Sequence, residues 1–160
     1  MELLRINKSY IGIAVAAIML SMSCSHYDEI MKSGKESSAD KVSHNAGRNC
    51  MSCHHDANND ASGENRWWYF AGTVYGNGEP AASAGTIELW TGVGRSGKLL
   101  YKVPVDRSGN FYTARIFSFE GGFYPVFVGN NGTIMTMTTK TVEGACSSCH
   151  GVTQDRIQVN

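Results

Sequence analysis

The sequence predicts a mainly β protein: a small β-sandwich of about six or seven strands, flanked by two loop or short-helix segments. Three observations point there. Eighteen glycines and a charged fraction of 18% in 160 residues favour a turn-rich sheet protein over a helical bundle. Between residues 66 and 142, short aromatic and β-branched runs alternate with clusters of Gly, Asn, Asp and Ser, the spacing of strands and turns. Within the runs, side chains alternate with period two: Ile87 and Leu89 share one face, as do Leu99, Tyr101, Val103 and Val105.

The chain before the sheet region reads as an export signal and a spacer. In residues 1–23, Arg5 and Lys8 precede an apolar stretch (10–20) closed by small residues, the form of a secretory signal peptide. The apolar stretch is short for a membrane span. Leu20-Ser21-Met22-Ser23-Cys24 resembles a bacterial lipobox, with Ser21 where leucine is usual. The resemblance implies cleavage before Cys24, lipidation of its thiol and anchoring at the bacterial outer membrane, facing the periplasm or the cell surface. Residues 24–43, with the polar run Lys32-Ser33-Gly34-Lys35-Glu36-Ser37-Ser38, read as a flexible tether from lipid to folded body. The formal net charge is zero, and removing Arg5, Lys8 and Glu2 leaves twelve basic and thirteen acidic side chains. That balance argues against a nucleic-acid partner.

Residues 44–65 hold few core formers, and 56–64 form a polar loop with a loose likeness to a calcium loop that lacks its glycine and closing glutamate. Strands are then expected at 67–75, 86–90, 99–105, 111–117, 123–128 and 133–138. Pro104 and Pro125 place their strands at edges or bulges. Residues 143–160 form a second segment and tail.

Chemistry concentrates in the two flanking segments. Cys50-Met51-Ser52-Cys53-His54 and Cys146-Ser147-Ser148-Cys149-His150 both read C-x-x-C-H, the covalent haem attachment signal. Two thiols at this spacing add to the two vinyl groups of one haem, and the adjoining His54 or His150 binds iron from below. Four of the five cysteines are so used and Cys24 takes the lipid, leaving no odd thiol. Read as redox thiols or zinc ligands, the pairs leave their adjoining histidines unexplained.

On these motifs the chain resembles a dihaem c-type cytochrome. The resemblance implies two haem c groups, electron transfer rather than enzymatic turnover, and redox proteins or neighbouring haem subunits as partners, including copies of the chain in an oligomer, conduit or filament. Alternatives are a haem enzyme or small-molecule sensor with one open iron site, and a binding module with accessory haems. His44, in the string His44-Asn45-Ala46-Gly47-Arg48-Asn49-Cys50, resembles the distal histidine found ahead of haem motifs in bacterial multihaem proteins, at haem one in preference to haem two. His55, in Cys53-His54-His55, by the same resemblance serves the neighbouring haem two. Four histidines for two irons then close the inventory. His26 lies too near the lipid for a haem role. Met135 and Met137 share one strand face and are read first as packing, second as a sixth ligand. One of Trp67, Trp68, Tyr69 and Phe70 is expected against a haem. The two apolar plates should make the holo protein much more stable than its apo form.

The middle of the chain carries a second, less specific resemblance. Gly72-Thr73-Val74, Pro80, Ala84-Gly85-Thr86-Ile87-Glu88-Leu89 and Asp106-Arg107-Ser108-Gly109-Asn110-Phe111 resemble the carboxypeptidase-regulatory-like or transthyretin-like sandwich family. This implies fold, not function. Whether the two haem motifs lie side by side or at opposite poles of the sandwich stays open.

Overall fold

The structure, a computed structural model, describes residues 35–55, 67–117 and 120–159. The signal segment, Cys24, His26, most of the expected tether and the polar loop 56–64 lie outside the described residues. Among the described residues, no helix is long and apolar enough to cross a membrane.

The described chain is built from strands. They are β1 (Phe70–Gly76), β2 (Glu79–Pro80), β3 (Gly85–Gly92), β4 (Ser96–Pro104), β5 (Asn110–Thr113), β6 (Tyr124–Gly129), β7 (Ile134–Thr136) and β8 (Ile157–Gln158). The first sheet has the order β2-β1-β5, antiparallel, with β8 pairing β1 in parallel. The second has the order β4-β3-β6-β7, antiparallel throughout. Phe70, Val74 and Phe111 of the first sheet meet Ile87, Leu89, Val103 and Phe127 of the second in one core, as the alternation of those strands requires. The expected mainly β, two-sheet fold is the fold observed; β2 and β8, two residues each, gave no pattern in the sequence.

Two local expectations are corrected. Leu100, not Leu99, packs on the core, because the β3–β4 register shifts between Leu89 and Trp90. A bulge of this kind reverses the facing of every residue beyond it. Pro104 ends the edge strand β4, but Pro125 lies in β6, an interior strand. The reason is that only one side of Pro125 needs a donor. Its carbonyl accepts from Met137 N at 3.0 Å, and the return bond is missing because proline has no N–H. Regular pairing of β7 accordingly stops at Thr136.

The sandwich is closed along one side. Glu36 bridges Thr113 at the outer edge of β5. Ser37 N donates to the Tyr112 carbonyl at 2.9 Å, and its hydroxyl donates to the Pro104 carbonyl of β4 at 2.6 Å. Ser37 is buried. The segment expected to be tether up to Ser43 is therefore docked from Lys35 onward, where it covers two edges that would otherwise be free to pair with other chains.

Glu88 is buried on the outer face of the second sheet. It accepts from Trp90 Nε1 at 2.9 Å and pairs with Lys102 at 2.8 Å and Arg95 at 2.9 Å. Burial pushes its carboxyl up, but the hydrogen bonds from Lys102 and Trp90 and the charges of Lys102 and Arg95 outweigh it and hold the group below its usual value. A depressed carboxylate contributes stability that is complete above its unfolded value and lost as pH falls through the folded one. Glu88→Gln should cost about 1–2 kcal/mol at neutral pH, since both cations are partly exposed. In urea unfolding across a pH series, the gap between wild type and variant should close below pH 4.5, the group's ordinary value.

Candidate functional site

Each C-x-x-C-H motif forms a single 3₁₀ turn, Cys50–Ser52 in the first and Cys146–Ser148 in the second. The hydrogen bonding repeats. His54 N donates to the Cys50 carbonyl at 2.9 Å and His150 N to the Cys146 carbonyl at 3.0 Å. Such a turn brings both thiols and the following imidazole to one side of the backbone. None of these four cysteines is in a disulfide.

The first motif sits on the outer face of β1. Cys50 and Met51 pack against Trp68, Ala71 and Ala114. The Asn49 side chain caps the turn by accepting from Met51 N at 3.1 Å. Trp68 N donates to the His54 carbonyl at 3.0 Å, tying the end of the motif to the start of β1. The His54 ring packs against Trp68 with centroids 4.9 Å apart and planes tilted by 39°, and Trp68 against Tyr112 at 4.5 Å and 41°. His44 also stands beside His54, with ring centroids 5.9 Å apart and planes tilted by 32°.

The placement of His44 comes from a buried polar network. Asn110 Nδ2 donates to the Ser43 hydroxyl at 2.9 Å and to the His44 carbonyl at 3.1 Å. The Ser43 hydroxyl donates in turn to the fully buried Asp106. Thr73 Oγ1 donates to Asn110 Oδ1 at 2.6 Å and accepts from Gly47 N at 2.9 Å. Gly47 has φ +83° and lies against the Tyr75 hydroxyl, where a side chain would collide. The Asp106–Phe111 turn, legible in the sequence only as a fold signature, thus fixes the histidine loop. Asp106 Oδ1 shapes that turn by accepting from Ser108 N at 2.8 Å and Asn110 N at 3.0 Å.

The second motif lines an open cleft of about 1030 Å³, at the upper end of the range for cofactor and ligand sites. Phe70, Phe111, Ile87 and Phe127 form part of its lining, so the cleft is the mouth of the sandwich on the side away from Ser37. Cys146, Cys149 and His150 line it. The loop beyond His150 folds back, with Thr153 N and Gln154 N both donating to the Cys149 carbonyl at 2.9 Å. This brings the Asp155 carbonyl to 2.7 Å from His150 Nδ1. A carbonyl only accepts, so Nδ1 carries the proton and Nε2 keeps its lone pair for a metal.

The two motifs lie back to back across β1, not at opposite poles. Cys50 packs in the cluster of Ala71, and Cys146 packs on the core side at Gly72. The Cys146 thiol is pushed up to about 12, chiefly by burial. The Cys50 thiol is raised too, again first by burial. Among the described residues, no three His, Cys, Asp or Glu side chains converge as a protein-only metal centre.

The remaining expectations fall as follows. Trp68 is the aromatic that meets the first site, while Phe70 belongs to the core. Met135 and Met137 both line the second cleft, but β7 ends at Thr136, so only Met135 lies in the strand. His55 is exposed and is not among the cleft-lining residues. Arg156 and Tyr75 carried no signal in the sequence; the guanidinium stands 4.7 Å over the ring and also lines the cleft. Comparison with protein-family models, curated proteins and solved structures finds no match to the chain.

A Cβ added at Gly72 would fall 2.8 Å from Cys146 Cβ and 2.5 Å from Phe111 Cζ. Gly72→Ala is expected to destabilise by about 1–3 kcal/mol through overpacking, read as a lower urea midpoint with an unchanged slope.

Proposed function

We propose that the chain is an exported, lipid-anchored dihaem c-type cytochrome that relays electrons and has no catalytic side-chain machinery of its own. The observation that carries the reading is the second motif. Its two cysteines and histidine line a cofactor-sized cleft, and His150 is already held as the tautomer that leaves Nε2 for iron. The first motif supports it through the His44–His54 spacing. Bound haem supplies reversible one-electron exchange at a potential set by its axial ligands.

The chain's own residues have distinct tasks. Cys50, Cys53, Cys146 and Cys149 tether the two groups. His54 and His150 are the proximal ligands, with His150 oriented by the Asp155 carbonyl. His44 is the distal ligand of the first group, held by Asn110 and Ser43. Trp68 shields the His54 ring, which lowers the local dielectric and limits ligand exchange. Cys24 anchors the protein to the outer membrane, and the partners are redox proteins or neighbouring haem subunits at the cell envelope.

An optically monitored redox titration of the purified protein should give two reversible one-electron steps. Both haems should be low-spin, and neither ferrous haem should take up carbon monoxide. His44→Ala should turn one haem high-spin and open it to carbon monoxide while the other is unchanged. Carbon monoxide binding to the wild type would favour an enzyme or sensor instead.

A further inference from the structure

The two sites differ in what faces the proximal histidine. In the first, a second imidazole stands beside His54. In the second, the opposing wall of the cleft is another sheet. His150 belongs to the segment that leads into β8, and β8 pairs with β1 in the first sheet. Met135 and Met137 belong to β7 and its continuation, at the end of the second sheet. All three side chains line the same cleft. The mouth of the sandwich therefore presents an imidazole from one wall and two thioethers from the other.

Donor chemistry narrows the choice. Apart from the motif's own Cys146, Cys149 and His150, the side chains of the lining that carry heteroatoms are hydroxyls, carboxylates, amides, Arg156 and the two methionines, the rest being apolar. The thioethers are the soft donors in that set, and iron of a c-type haem takes histidine or methionine as its sixth ligand. The methionines also sit where packing alone does not explain them. Met135 is 39% exposed although it pairs with the core residue Phe127 across β6 and β7. Met137 is placed by its own N–H, which donates to the Pro125 carbonyl at 3.0 Å where the ladder ends. An unbranched thioether just past the end of a strand can swing into the cleft.

We propose that Met135 of β7 or Met137 just beyond it is the sixth ligand at the second site, so that the protein pairs a His/His centre with a His/Met centre. The proposal rests on the dihaem reading. Methionine ligation raises the potential relative to bis-histidine. Electrons then enter at the first site, pass across β1 and rest at the second. His55 has no part in the second site.

The test uses the full holo protein, the double variant Met135→Leu/Met137→Leu, and His55→Ala. Leucine keeps the volume and apolar character while removing the sulfur. A pyridine haemochrome assay first counts haem in each preparation. The wild type should then show the upfield-shifted methionine methyl resonance of one ferrous haem and two well-separated midpoint potentials. The double variant should lose that resonance and the upper potential should fall, with the first haem unchanged. His55→Ala should leave both haems low-spin. Two haems with no methionine resonance in the wild type overturn the proposal, even if the double variant does not fold. So does a resonance that survives in the double variant, or a second haem made high-spin by His55→Ala. No haem at all in the wild type defeats the dihaem reading itself, which is a different outcome.

Discussion

β1 has two faces, and a cysteine motif sits on each. Adjacent residues of a strand point to opposite sides of the sheet. Ala71 therefore belongs to the cluster that receives Cys50, while Gly72 turns inward and receives Cys146. The absence of a side chain at Gly72 is what allows Cys146 to approach Phe111 and the core. The Ala71 N–H donates to the Gly144 carbonyl at 2.9 Å, so the second motif is also held to β1 by backbone. Positions and separation of both sites follow from this one strand: the chemistry brought by two distant parts of the chain is separated by the thickness of a single sheet.

The asymmetry of the sandwich matters as much. Along β4 and β5 the two sheets are stapled by residues 35–37, with Ser37 bonded to both edges. Along β7 and β8 they part, and the cleft there is backed by the buried core residues Phe70, Phe111 and Phe127. The proposed second haem would lie in this cleft, held by Cys146, Cys149 and His150.

The sequence and the structure agree where the signal is local and periodic. The six principal strands, the alternation of Ile87 with Leu89 and of Val103 with Val105, and the two C-x-x-C-H turns were all legible, because each depends on residues a few positions apart. Legibility failed where the deciding partner was remote. Leu99 and Leu100 cannot be ranked without the register of β3. Pro125 looked like an edge residue because its pairing with Met137 depends on a strand ten residues later. Ser37 read as tether because its hydroxyl finds Pro104 and Tyr112 only after folding. For the candidate sites, His44 beside His54 was anticipated from a sequence pattern, whereas the Asp155 carbonyl behind His150 has no side-chain signature at all.

The central claim is covalent attachment of haem at both motifs, and the intact mass of protein matured in a host that assembles c-type cytochromes tests it most directly. Two haem masses added to the chain, retained after denaturation and acid–acetone extraction, are expected. Peptide mapping should place one on Cys50 and Cys53 and the other on Cys146 and Cys149. An unmodified chain, or haem that leaves on extraction, would contradict it.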